Sequence, residues 1–264
     1  MRGTSCGASR ISPRPMNPTT DPLAIIPEAF RAVLRNPRAV ALYVGLVTGV
    51  AGLDLLSLHL ITGGEMPEEP GLTLRLFGLG SDLVLAGTYA FAQTVAFSWI
   101  GQNLDRPLWR IKGLGDAMKR FFPVWLILAL LIMVFHNLTI RFMAADQSSS
   151  LGQFMFLLFM TLNVIAIPIG GAIMFHGELK WSELGESLAP LGRQLFPTTI
   201  LVAFSGCVLV VLFFFLLPAT GERVWLQPFV QIPGGIAECA IFAATWFICI
   251  MDRESEDVND DFDF

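Results

Sequence analysis

The chain has 264 residues, of which 54% are hydrophobic and only 15% charged, and its mean hydropathy is +0.62. Soluble domains carry about 25% charged residues, so the composition excludes an ordinary water-soluble domain, and no nucleic-acid partner is expected. The net charge of −5 is misleading: residues 252–264 hold seven acids and one arginine, or −6, which leaves +1 for everything before them.

Residues 1–22 are rich in Ser, Pro and Thr and lack an apolar core, so they read as a flexible N-terminal leader and not as a secretory signal. Met16, followed by Asn17-Pro18-Thr19-Thr20, is a plausible alternative start. The membrane domain is expected over 23–251. It opens with an amphipathic segment, Pro27-Glu28-Ala29-Phe30 up to Pro37. Pro27 suits a first helical turn and Glu28 complements the helix dipole. Ile26, Phe30, Val33 and Leu34 fall on one side, Glu28, Arg31 and Arg35 on the other.

A spanning helix needs about 20 mostly apolar residues, and six stretches qualify: 39–62, 82–100, 123–142, 151–175, 197–217 and 229–251. Gly45 and Gly49 in the first, and Ala86 and Ala90 in the second, form small-residue faces suited to close helix packing. Before the third span the amphipathic pattern returns as Gly115-Asp116-Ala117-Met118 up to Pro123, with Leu114, Met118, Phe121 and Phe122 set against Asp116, Lys119 and Arg120. Before the fifth it returns as Gly185-Glu186-Ser187-Leu188 up to Pro197. There Trp181, Leu184, Leu188, Leu191 and Leu195 oppose Glu183, Glu186 and Gln194, and Pro190 and Gly192 are expected to split the helix.

In the three copies the acid precedes its proline by 9, 7 and 11 residues. Each proline forbids straight continuation of the helix. The chain is therefore expected to be all-α and polytopic, with six transmembrane helices built as three repeats of an interfacial amphipathic helix plus a helical hairpin. The amphipathic helices should lie in the membrane plane with their apolar faces in the headgroup boundary.

Lysine and arginine set the orientation, because cytoplasmic loops retain positive charge. With the N-terminus inside, fourteen of these residues fall on the inner side, and only Arg75, Arg141 and Arg223 on the outer. Trp99, Trp109, Trp125, Trp181 and Trp246 also fall near the inner boundary, where indole rings suit the headgroup layer. A multi-pass protein of the cell inner membrane with both termini cytoplasmic is expected, and the acidic tail, 252–264, reads as solvated and disordered.

Ionisable groups within spans are functional candidates by default. Glu238 lies in the sixth span just after Pro233-Gly234-Gly235, and reads either as a proton or cation site or as a hydrogen-bonded core carboxyl. Asp54, His59, Asp82, His136 and Arg141 map towards the outer side, and Asp54 with His136 is the candidate pair. Pro168-Ile169-Gly170-Gly171 and Pro233-Gly234-Gly235 resemble the interrupted helices of transporters, though at different depths. The three histidines, His59, His136 and His176, share no span, and the four cysteines show no metal or disulfide spacing. No hydrolase constellation or phosphate-binding glycine loop is present, so neither an enzyme nor a cofactor is expected.

The phrases Ile26-Pro27-Glu28-Ala29-Phe30-Arg31-Ala32-Val33-Leu34-Arg35-Asn36-Pro37 and Leu184-Gly185-Glu186-Ser187-Leu188, with a last span ending Trp246-Phe247-Ile248-Cys249-Ile250-Met251-Asp252-Arg253, resemble bacterial six-helix membrane proteins of the YciC type. That group is similar to the membrane domain of some glycerophosphoryl diester phosphodiesterases. The resemblance implies a fold over most of residues 27–253 and carries no hydrolase with it. The expectation is a non-enzymatic membrane protein, either an accessory or assembly subunit of a larger complex or a lipid-interacting envelope protein. Membrane lipids and protein partners within the membrane are its expected contacts, through Arg31, Arg35, Arg38, Lys119, Arg120 and Arg193. The alternative is a small-solute or proton-coupled transporter built on Glu238.

Overall fold

A computed structural model describes residues 21–62, 71–104, 113–145, 150–177, 181–221 and 223–260. The described residues are helical throughout, with short turns between helices. Six helical stretches are long and apolar enough to cross a membrane: Pro37–Thr62, Leu72–Leu104, Leu114–Met143, Ser150–His176, Leu195–Ala219 and Trp225–Ser255. The second begins ten residues before the expected start, because Leu72 to Ser81, diluted by Arg75, Gly78 and Gly80, is nonetheless part of one continuous helix.

In chain order the helices are α1 (Ile25–Arg35), α2 (Pro37–Thr62), α3 (Leu72–Leu104), α4 (Leu114–Ala145), α5 (Ser150–His176), α6 (Leu184–Arg193), α7 (Leu195–Val210), α8 (Leu217–Ala219) and α9 (Gln231–Asp260). A wider π-helical stretch, Val211–Leu216, joins α7 to α8 just ahead of Pro218, whose missing N–H cannot serve an ordinary helical bond. Each of the three units is an amphipathic segment followed by two spans. The amphipathic segments and the adjoining helix ends gather at one end of the bundle, here called the collar.

The centre of the bundle is α9. The apolar window of its span is 83% buried within the protein, against 11% for the span formed by α7 and α8. It packs against α1, α2, α3, α5, α6 and α7. An aromatic stack fills the middle: Phe97 of α3 lies flat on Phe242 of α9 with centroids 4.4 Å apart, Trp125 of α4 sets its edge on Phe97 at 5.1 Å, and Phe175 of α5 meets Trp246 at 5.2 Å. Trp125 and Trp246 are fully buried, so they serve the core and not the headgroup layer expected of them. Trp99 is 42% exposed at the collar, as an interfacial indole should be.

Glycine allows this closeness. A Cβ at Gly170 would lie 2.3 Å from the Trp125 ring, and one at Gly235 would lie 3.0 Å from Val44. The Pro168-to-Gly171 segment is therefore a packing notch in a continuous α5, and Pro233-Gly234-Gly235 sits in the first turns of α9, where proline costs little. Neither interrupts a span. Gly45 and Gly49 have nothing within 4 Å of an added Cβ, so their expected packing face is open, whereas Ala86 and Ala90 are buried.

The amphipathic segments also depart from the interfacial picture. In α1 the residues Ile25, Ala29, Ala32 and Val33 are buried, while Leu34 is 77% exposed. The small alanine face lets α1 approach the end of α9 closely, and Phe30 adds an edge-to-face contact with Phe204 of α7 at 5.9 Å. The apolar face of α1 is thus spent on protein. The second segment is not a separate helix, because α4 runs through Pro123 without ending. Pro123 is exposed on the helix surface, and the loss of one backbone bond there leaves the helix intact. Pro190 likewise sits inside α6, which ends only at Arg193. Pro37 and Pro197 fall in the first turns of α2 and α7, where no intrahelical N–H is required.

The acidic C-terminus begins as structure. The helix α9 continues to Asp260, and Asp252, only 2% exposed, is paired with Arg193 of α6 at 2.9 Å. Arg253 lies 5.4 Å over the Phe175 ring. Residues 261–264, including Phe262 and Phe264, and most of the 1–22 leader lie outside the described residues.

Candidate functional site

At the collar, the corner between α1 and α2 is made by Asn36. Pro37 keeps Asn36 out of helical geometry (φ −117°, ψ 48°). The side chain of Asn36 donates to the Ala32 carbonyl at 2.9 Å and accepts from the amide of Asn103 at the end of α3. Beside this bond opens a cleft of about 410 Å³ lined by Arg35, Asn36, Pro37, Arg38, Ala39, Trp99 and Asn103. Water occupies about 30 Å³ per molecule in the liquid, so the space admits a group much larger than a single water.

Two cations face this region unneutralised. Arg35 and Arg38 are exposed and make no ion pair among the described residues. Arg120 and Arg193 differ: the first is paired with Asp116 at 3.0 Å within α4, the second with Asp252. Arg31 and Lys119 are exposed elsewhere on the collar. The first amides of α2, those of Arg38 and Ala39, also lack intrahelical acceptors, and the positive end of the helix dipole lies at the cleft.

A second polar site lies between α2, α3 and α9. The hydroxyl of Tyr43, itself fully buried, donates to the Glu238 carboxylate. The Gln93 amide reaches the Tyr43 oxygen at 3.5 Å, and the Tyr89 hydroxyl donates to Gln231 at 3.0 Å. Glu238 is therefore held by hydrogen bonding to a neighbouring helix. Sequence reasoning found the carboxyl and missed Tyr43, Tyr89, Gln93 and Gln231. A signal was available, since the chain has only two tyrosines and both lie inside spans.

Towards the opposite end, Asp54 and His136 are not brought together. Asp54 accepts from Ser81, Asp82 accepts from Asn137 at 2.9 Å, and His136 packs beside the Phe159 ring at 5.1 Å. Each carboxylate thus takes a hydrogen bond from a neighbouring hydroxyl or amide, and the acid that interacts electrostatically with His136 is Asp82 and not Asp54. His59 is exposed at the end of α2. Among the described residues, no three His, Cys, Asp or Glu side chains are grouped as a metal would require.

No protein-family model, no curated protein and no solved structure matches this chain. Residue chemistry and placement therefore carry the functional argument.

Proposed function

We propose that the chain is a non-enzymatic integral membrane protein of the cell inner membrane that acts through lateral contacts. It engages anionic lipids of the inner leaflet, as an envelope protein or as the accessory subunit of a larger complex. The observation that carries this reading is the collar. There α1 buries Ile25, Ala29, Ala32 and Val33 in its packing on α9 and so fixes Arg31 and Arg35 at the rim, with Arg38 just past the corner, and Lys119 is exposed on α4. Basic groups held at the level of the inner leaflet attract anionic headgroups by about 1 kcal/mol each. The positive-inside bias supports a cytoplasmic collar and cytoplasmic termini. A YciC-type relationship is consistent with the six-helix plan and remains part of the proposal.

Extraction of the full chain with its native lipids, followed by lipid and protein mass spectrometry, tests this. The expected result is anionic lipid enriched over the bulk membrane, together with any stoichiometric protein subunit. Lipid identical to the bulk and no accompanying protein would overturn it.

A second reading rests on the Gln93–Tyr43–Glu238 chain, which places a titratable group and its hydrogen-bond relay inside the span. In that reading the protein moves protons or a small solute. Flux through proteoliposomes that is lost in Glu238→Gln would favour it over the first.

A further inference from the structure

We infer that the cleft at the α1–α2 corner is a phosphate-binding site, filled by the phosphate of an anionic glycerophospholipid. The inference rests on the lipid-engaging reading above and narrows it from a diffuse basic rim to one built position.

Depth supports the assignment. The 26 residues of α2 extend about 39 Å at 1.5 Å per residue, against a hydrocarbon core of about 30 Å. The excess leaves roughly three residues at each end in the headgroup layer. At the collar end those are Pro37, Arg38 and Ala39, all of which line the cleft. A lipid phosphate is therefore level with the opening, and Trp99, 42% exposed in the same wall, sits where an interfacial indole belongs.

Chemistry supports it as well. Two guanidinium groups present planar donor forks that match phosphate oxygens, and neither Arg35 nor Arg38 is neutralised by a carboxylate among the described residues. The amide of the exposed Arg38, in the first turn of a 26-residue helix, adds a donor at the positive end of the helix dipole. Asn36 and Asn103 are bonded to each other and hold the α1–α2 corner against the end of α3, so the arginines are anchored on two sides of a fixed turn. A point cluster of surface charge would lack this floor.

The test uses the purified full chain in a neutral detergent, with thermal shift and native mass spectrometry as readouts. The probes are phosphatidylglycerol, phosphatidylcholine and soluble glycerol 1-phosphate. Phosphatidylglycerol should bind and stabilise the wild type, phosphatidylcholine should bind more weakly, and the soluble phosphate weakest of all. R35Q/R38Q should weaken phosphatidylglycerol binding by about tenfold or more while the lipid-free melting temperature is kept. R35K/R38K, which keeps charge but loses the fork, should fall between. R31Q/K119Q removes two collar charges outside the cleft and should cost much less, and R141Q/R223Q at the opposite end should change nothing.

Equal loss in R31Q/K119Q and R35Q/R38Q would leave the lipid-engaging reading standing and overturn the cleft. Soluble glycerol phosphate binding as tightly as the lipid would overturn a lipid source. A wild type with no preference for the anionic lipid would overturn both. An unfolded R35Q/R38Q would shift the decision to R35K/R38K, where unchanged affinity counts against the site.

Discussion

Replacing Gly170 by alanine should be far more damaging than the same exchange at Gly45, although both glycines lie in apolar spans. The Cβ at position 170 would meet three Trp125 ring carbons at 2.3, 2.4 and 2.9 Å. Carbon contacts settle at about 3.5–4.0 Å, so the ring or helix α5 must retreat by roughly 1.2 Å. The indole has no free space: it is fully buried, its edge rests on Phe97, and its N–H points at the Met174 sulfur at 3.1 Å.

Overpacking of this kind costs about 1–3 kcal/mol, and straining the N–H contact adds about 1. Alanine recovers about 1 through its better helix propensity. The net is a loss of about 2 kcal/mol, or roughly thirtyfold in the ratio of folded to unfolded protein. At Gly45 nothing lies within 4 Å, so alanine should be neutral or stabilising by up to about 1 kcal/mol. Unfolding by sodium dodecyl sulfate in mixed micelles, followed by tryptophan fluorescence, measures both. Trp125→Phe in the G170A background should cost less than the two single changes summed, since the smaller ring relieves the clash. If G170A and G45A unfold within about 0.5 kcal/mol of each other, the notch is not a packing feature and the reasoning fails.

Tyr43→Phe removes the donor from a carboxylate inside the bundle and should destabilise by about 1–3 kcal/mol, whereas Glu238→Gln keeps an acceptor for the hydroxyl and should cost less, both read by the same unfolding titration. Arg193→Gln takes the cation away from the buried Asp252. Its effect should be about 1–2 kcal/mol, below that of a fully buried pair because Arg193 is half exposed, and the double variant with Asp252→Asn should recover part of it. A single cysteine introduced within 67–71 should react with an impermeant maleimide added outside intact cells. Labelling from the inner side alone would invert the orientation and move the collar to the outer face.

The six spans were legible because hydropathy over about 20 residues is a property of the segment itself. What the glycines do was not, because it depends on residues far away in sequence. Gly170 is a notch only because Trp125, 45 positions earlier, points into it, and Gly45 is open only because no helix covers that face. The amphipathic segments were recognisable as helices, yet their periodicity could not say whether lipid or protein would cover the apolar side. The buried face of α1 is built around Ala29 and Ala32, too small to gain much from a headgroup layer but suited to close helix contact. At the cleft, Arg35 and Arg38 were visible as basic residues before a span. Asn103 was not, since its place beside Asn36 depends on how α3 returns to the collar.

A different use of hydropathy would have narrowed the central helix to two of the six spans. Lipid tails are as apolar as leucine, so no hydrophobic force draws the most apolar helix inwards; helices meet through small side chains, hydrogen bonds and close packing. The span Leu195–Ala219 has the highest hydropathy of the six and is the least buried, whereas Trp225–Ser255, with Glu238 and a run of alanines, is the most buried. The polar and small residues that lower the score of the last span are those that need protein neighbours. Glu238 finds Tyr43, Asp252 finds Arg193, and Ala240, Ala243 and Ala244 admit neighbouring helices. In this chain the two least apolar spans, Leu72–Leu104 and Trp225–Ser255, are the two most buried, and the collar is assembled on the end of the second.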